Sequence, residues 1–409
     1  MKRVVVTGMG GISPIGADWP SVERRLRACQ NAVRHMPDWD VYQGLLTRLA
    51  APAAPFELPA DRYTRKATRS MGRVSLLACR ASELALADAG LLDDPFLRGG
   101  RVGVAYGSST GSTAAVRDFA GMLEYKTTAG LNATTYIRMM SHTTAVNIAV
   151  FFGLTGRVIT TSSACTSGSQ GIGYACEAIR HGYATAMVAG GGEELCPTEA
   201  AVFDTLFATS TKNDTPSLTP RPFDADRDGL VLGEGAGTLV LEELEHARAR
   251  GARIYAELVG FGTNCDGAHV TQPSAETMAE AMRLALGNAG LPASAIGYVN
   301  AHGTATQQGD VAESIATAAI FGNRMPISSL KSYMGHTLGA CGALEAWMTI
   351  GMMRAGWYAP TVNLAHVDPR CAPLDYLTGS GRAIDLEYVM SNNFAFGGIN
   401  TSLIFRRQG

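Results

Sequence analysis

Apolar positions along this chain recur in two rhythms. Short runs rich in β-branched residues, such as "RVVVTGMGG" at the start and "GRVITTSSA" just before residue 165, read as strands. Longer stretches carry apolar residues three and four apart and read as helices. "SGSQGIGYACEAIRHG" sets Ile172, Cys176 and Ile179 at that spacing, and residues 339–354 do the same with Leu344, Trp347, Met348 and Met352. Strands alternating with helices predict an α/β protein of parallel βαβ units, its sheet buried beneath helices.

The rhythm runs twice. Residues 3–16 and 253–268 each read as a strand followed by a Gly-rich turn. "GGRVGVAYGSSTG" is matched by "AIGYVNAHGTATQQGD", the stretch around residue 165 by residues 325–353, and "GEGAGTLVLEELE" by "YVMSNNFAFGGINTSLIFRR". Four matches in one order predict an internal duplication. The halves span 1–250 and 251–409, arranged in α/β/α/β/α layers.

Composition narrows the class. The 409 residues are 46% hydrophobic and 17% charged, with 47 glycines and a net charge of −2, which is globular and gives nucleic acid nothing to bind. The longest apolar runs, such as "AVNIAVFFGL", fall far short of a membrane span. The basic start is broken at once by glycines and reads as a first strand, not an export signal. Eight scattered cysteines form no CxxC pair, so no zinc site or other metal is expected, and reduced thiols in a cytoplasm are. "GMGGIS" lacks the regular spacing of a dinucleotide loop and reads as a turn that needs glycine.

The candidate chemistry sits at strand ends. Cys165 falls where "GRVITTSSA" gives way to a helix, and unpaired N–H groups and the dipole at a helix start lower a thiol pKa. The alternative is a small buried cysteine at a tight crossing. His302 in "NAHGTATQQGD" and His336 in "KSYMGHTLGACG" each follow a predicted strand, where open α/β sheets place ligands. One cysteine and two histidines at matched strand ends make a nucleophile-plus-base set.

In their order and spacing, "SSACTSG", "RPFDADRDGLVLGEGAG", "NAHGTAT..GD", "LKSYMGHTLGACGALEA" and "SNNFAFGGIN" resemble the elongating β-ketoacyl-[acyl-carrier-protein] synthases, nearly end to end. The resemblance implies the thiolase fold and a decarboxylating Claisen condensation in fatty-acid elongation. It implies Cys165 as nucleophile and an oxyanion hole from the N–H groups of Cys165 and Phe396. His302 and His336 would hold the malonyl thioester, Lys331 would keep His336 neutral, and Glu345 would pair with Lys331. Thr304 and Thr306 would bind the pantetheine arm, Thr110 would line the acyl pocket, and no cofactor is needed beyond the carrier's phosphopantetheine.

The carrier protein is acidic, so a basic docking face is expected, and Arg62, Arg65, Lys66, Arg69 and Arg73 recur as one helical stripe, with Lys212 at another docking position. The resemblance also implies a homodimer joined through the strand at about 156–163, or a heterodimer with a chain-length partner. Three positions depart from the family pattern: Met334 and Gln307 stand in place of Thr and Pro, and Ala395 replaces the first Gly of the gate loop. They raise a specialised polyene or polyketide pathway as a rival. A non-catalytic chain-length subunit would lack the cysteine, and a thiolase would carry a second one near the C-terminus.

Overall fold

The computed structural model describes residues 1–408. The first half supplies strands β1 (Val4–Ile12), β2 (Val102–Gly107), β3 (Val158–Thr161), β4 (Ala186–Glu193) and β5 (Gly235–Glu243). The second supplies β6 (Ala256–Cys265), β7 (Ile296–Asn300), β8 (Pro326–Ser328), β9 (Asp375–Tyr376), β10 (Tyr388–Ala395) and β11 (Ile399–Arg407). The main helices are α1 (Arg73–Asp88), α2 (Thr113–Tyr125), α3 (Ala133–Met139), α4 (Thr143–Phe152), α5 (Ser167–Arg180), α6 (Pro197–Asp204), α7 (Ala275–Ala289), α8 (Gly309–Phe321) and α9 (Cys341–Ala355). Among the described residues no helix is long and apolar enough to cross a membrane.

The strand order repeats along the sheet. From the seam outward the first half runs β1-β5-β4-β2-β3 and the second runs β6-β11-β10-β7-β8, with β9 added at the edge. The sheets are mixed rather than wholly parallel. Pairs β2–β3, β2–β4, β7–β8 and β7–β10 are parallel, while β1 and β5, like β6 and β11, run antiparallel. The layers are also not separate, because Val5 and Val6 of β1 pair with Glu257 and Ala256 of β6. Each is the inner edge strand of its half, and pairing satisfies backbone groups that an edge leaves open.

Helices α1 and α4 cover the first half's outer face and α7 and α8 the second's. Helices α5 and α9 lie between the halves, and α9 is buried along nearly its whole length. They cross so closely that a Cβ on Gly168 would meet Ala343 N at 3.0 Å. That approach explains the small residues flanking Cys165 and following His336.

Candidate active site

Cys165 lies between β3 and α5 in a single 3-10 turn, Ala164–Thr166, that runs straight into the helix. Ala164 takes a left-handed φ of 49°, a strain of about 1–3 kcal/mol for a residue with a Cβ. Its counterpart before α9, Leu338, does the same at 45°. These elbows aim Cys165 from one half at His336 from the other.

The Cys165 Sγ is 2.9 Å from His336 Nε2. The His302 ring stands edge-on to His336, centroids 5.1 Å apart at 88°. The donor atoms of all three residues lie within 4.8 Å of one another. The backbone N–H groups of Phe396 and of Cys165 itself point toward Sγ.

Burial pushes the Cys165 thiol up to about 12, against the opposing pull of Lys331 and the Phe396 N–H. The helix start was expected to lower this pKa; desolvation at the α5–α9 crossing outweighs it. Burial, then the charge of Lys331, holds both His302 and His336 well below the usual imidazole range. The resting site is therefore a neutral thiol beside two neutral imidazoles. Such donors could ligate a soft metal, but the cation at Lys331 acts on both rings and disfavours a second positive charge.

Lys331 is 1% exposed. Burial works against its ammonium, but Cys341 and Glu345 prevail and raise its pKa. Its Nζ donates to Glu345 Oε1 at 2.5 Å, and Asn393 Nδ2 donates to Glu345 Oε2 at 2.7 Å.

A cavity of about 360 Å³ leads to the cysteine, lined by His302, His336, Thr304, Thr306, Ala395 and Phe396 among others. The Thr304 and Thr306 hydroxyls lie 2.9 Å apart. The Phe396 ring packs on Phe203 with centroids 5.2 Å apart. Ala395 ends β10 without a positive φ, and Gly397 and Gly398 take that conformation instead. Thr110 is not brought to this cavity. It is exposed, its N–H donates to Glu193 Oε1 at 3.3 Å, and its hydroxyl faces Glu199.

The basic stripe does not form one helix. Only Arg65–Thr68 is helical before the chain turns and restarts at Arg73. Arg62 is spent on Asp93 and Glu83, and Arg73 on the buried Glu234. Arg65, Lys66 and Arg69 stay exposed, and Lys212 sits 3.6 Å from Asp228.

Two carboxylates escaped the sequence reading. Glu313 accepts the N–H groups of His302 and Gly303 at 2.8 and 2.7 Å, and Asp310 accepts those of Thr304 and Ala305 at 3.0 and 3.1 Å. Both lie in the first turns of α8 and pin the loop that carries His302. Burial pushes Asp310 up to about 6 and Glu313 up to about 8. The buried Arg227 braces the same loop through the carbonyls of Thr306 and Gln307. The signal was present: two acids three apart, shortly after the histidine, where α8 begins.

Residues 1–247 match the family described as "Beta-ketoacyl synthase, N-terminal domain", and residues 255–365 match its C-terminal domain. The 3-oxoacyl-[acyl-carrier-protein] synthase 2 of Vibrio cholerae is 40% identical over 415 residues, covering 99% of each chain. A β-ketoacyl synthase from Burkholderia phymatum, solved by crystallography, is 66% identical with a TM-score of 0.99 over 100% of both chains. The ishigamide ketosynthase/chain length factor is 32% identical with a TM-score of 0.90, again over 100% of both. Matched through both of its halves and end to end by these relatives, the chain belongs to the β-ketoacyl synthase family.

Proposed function

We propose that this enzyme joins an acyl group held on Cys165 to malonyl-acyl-carrier protein, releasing CO2 and giving 3-oxoacyl-carrier protein, in fatty-acid elongation. The contact between Cys165 Sγ and His336 Nε2 carries the reading. The thiol passes its proton to His336 as sulfur attacks the acyl thioester, and the leaving pantetheine sulfur takes that proton back. The N–H groups of Cys165 and Phe396 hold the tetrahedral oxyanion. Malonyl-carrier protein then enters past Thr304 and Thr306. Its carboxylate leaves as CO2, and the electron pair moves onto the thioester carbonyl, where His302 and His336 donate to the enolate. The enolate carbon attacks the acyl-cysteine, and the Cys165 sulfur leaves and is reprotonated. Neutral imidazoles suit this donation, and Lys331, anchored by Glu345, keeps them neutral. The hinge at Ala395–Gly398 serves entry of the acyl chain.

The carrier protein is the partner, docking on Arg65, Lys66, Arg69 and Lys212. A homodimer through β3 fits the position of that strand at the sheet edge, where its own Val158 is exposed. The ishigamide neighbour and the departure at Gln307 favour, as second readings, a chain-length partner and a specialised polyketide pathway. Eight unpaired cysteines support a cytoplasmic setting. Acyl transfer from carrier proteins to purified enzyme, followed by malonyl condensation, tests the reading; an enzyme that never acylates Cys165 refutes it.

A further inference from the structure

A second thiol stands behind the nucleophile. Cys341 opens α9, in the other half of the chain, and is buried. It lies outside the lining of the cavity that reaches Cys165, and the condensation gives it no step. Yet its thiol donates to the carbonyl oxygen of Cys165, with Sγ 3.2 Å from that oxygen. Asn393 Nδ2 donates to the same sulfur at 3.6 Å and to Glu345 Oε2 at 2.7 Å. Burial, against the pull of Lys331, holds the Cys341 thiol well above its usual range, so the sulfur keeps the proton it donates. A chain of hydrogen bonds thus runs from the Lys331–Glu345 pair through Asn393 and Cys341 to the backbone of the nucleophile.

The place of this bond matters. Ala164, with its positive φ, comes just before Cys165, and Leu338, its counterpart, comes two residues after His336. Cys341 sits three residues past Leu338, where that elbow becomes helix. Its thiol therefore ties the turn that carries Cys165 to the segment that carries His336. The contact between Cys165 Sγ and His336 Nε2, at 2.9 Å, spans the same gap. A strained turn persists where its surroundings hold it, and a carbonyl held by a donor fixes the residue that bears it. Reacting groups lose rate quickly when they drift from contact.

We propose that Cys341 is a positioning residue for acylation: its bond to the Cys165 carbonyl keeps Sγ against His336 Nε2. The proposal rests on Cys165 being the acylated residue. With Cys165 held, the thiol hands its proton directly to His336, and no thiolate need form first. Without the bond, Sγ spends time out of reach of the ring, and acylation falls back on the scarce thiolate.

The test is pre-steady-state acylation by acyl-carrier protein, across neutral and alkaline pH, in wild type, Cys341→Ala and Cys341→Ser. The other titratable groups about Cys165, namely His302, His336, Lys331 and Glu193, are present in all three proteins. The alanine variant should acylate about five-fold more slowly at neutral pH. It should regain rate as pH rises, a steeper profile than wild type, with KM for the acyl carrier unchanged. Cys341→Ser keeps a donor at that place and should acylate at close to the wild-type rate. An alanine variant with the wild-type rate and profile overturns the proposal, and so does a serine variant as slow as the alanine one. A loss of stability in urea with no steeper pH profile also overturns it, since that is packing alone. If wild type leaves Cys165 unacylated, the condensing-enzyme reading falls and takes the proposal with it.

Discussion

His336 Nε2 stands 2.9 Å from Cys165 Sγ, and both groups are buried. A base already in contact with its thiol makes Cys165 the cysteine expected to be acylated. Mass spectrometry after exposure to acyl-carrier protein should find a single adduct on Cys165 and none in Cys165→Ala. An adduct elsewhere with Cys165 free would refute the assignment. His302→Ala should still accept the acyl group but lose most malonyl decarboxylation.

The same burial sets a pH profile. With the thiol pushed up to about 12, the thiolate fraction grows roughly ten-fold per pH unit across the neutral range. Alkylation of the free enzyme by iodoacetamide should climb steadily with pH and show no plateau near neutrality. Lys331 opposes the upward shift, so Lys331→Met should slow alkylation at every pH. A plateau near neutral pH would mean that the helix start, and not desolvation, governs this cysteine.

Lys331→Met strands Glu345 as a buried carboxylate, at a cost of roughly 3–5 kcal/mol. Urea unfolding should register that loss, and adding Glu345→Leu should recover most of it. A double variant no more stable than the single one would show that the pair is not the reason.

The basic residues should divide into two groups. Charge reversal at Arg65 and Arg69, both exposed, should raise KM for carrier-borne substrate and spare small pantetheine thioesters. Arg73→Ala should lower stability instead, since it unpairs Glu234, whose side chain is 2% exposed. Equal losses on both substrate types at Arg65 and Arg69 would argue against docking.

Glu313 gives a stability signature. Its carboxyl is raised to about 8 in the fold and lies near 4.3 when unfolded. The folded state therefore binds the extra proton between those values. The advantage is complete below about 4.3 and fades as pH rises through about 8. The stability difference between wild type and Glu313→Gln should shrink over that window, and a constant difference would contradict the raised pKa.

Much of this was legible because chemistry and periodicity coincide. The strand before Cys165 and the helix after it announce themselves by β-branched residues and by Ile172, Cys176 and Ile179. What escaped depends on packing between distant segments. Strand β4, "AMVAGGGE", lacks a strand's usual bulk because a Cβ on Gly190 would fall 2.0 Å from Gly237 O and one on Gly191 2.2 Å from Gly339 O. The segment 388–407 proved to be two strands, β10 and β11, where one match had been read. The spacing of Arg62 to Arg73 suits a helix, but Gly72 lies between the helical turn at Arg65 and the start of α1. No local pattern could foretell that desolvation would outweigh a helix dipole at Cys165, since the burial comes from α9, far along the chain.

The seam strand β1 bears on how the chain is made. Val4 pairs with Glu243, and Val6 with Ala256, so this strand waits for its neighbours until residues 235–257 have been made. Non-local pairing of this kind is slow, and domains fold largely as units during synthesis. Cys165 emerges early, but His302, His336 and the Phe396 N–H all arrive with the second half. The nascent chain thus carries Cys165 without its partners, and the site is assembled only when β10 and β11 close the sheet.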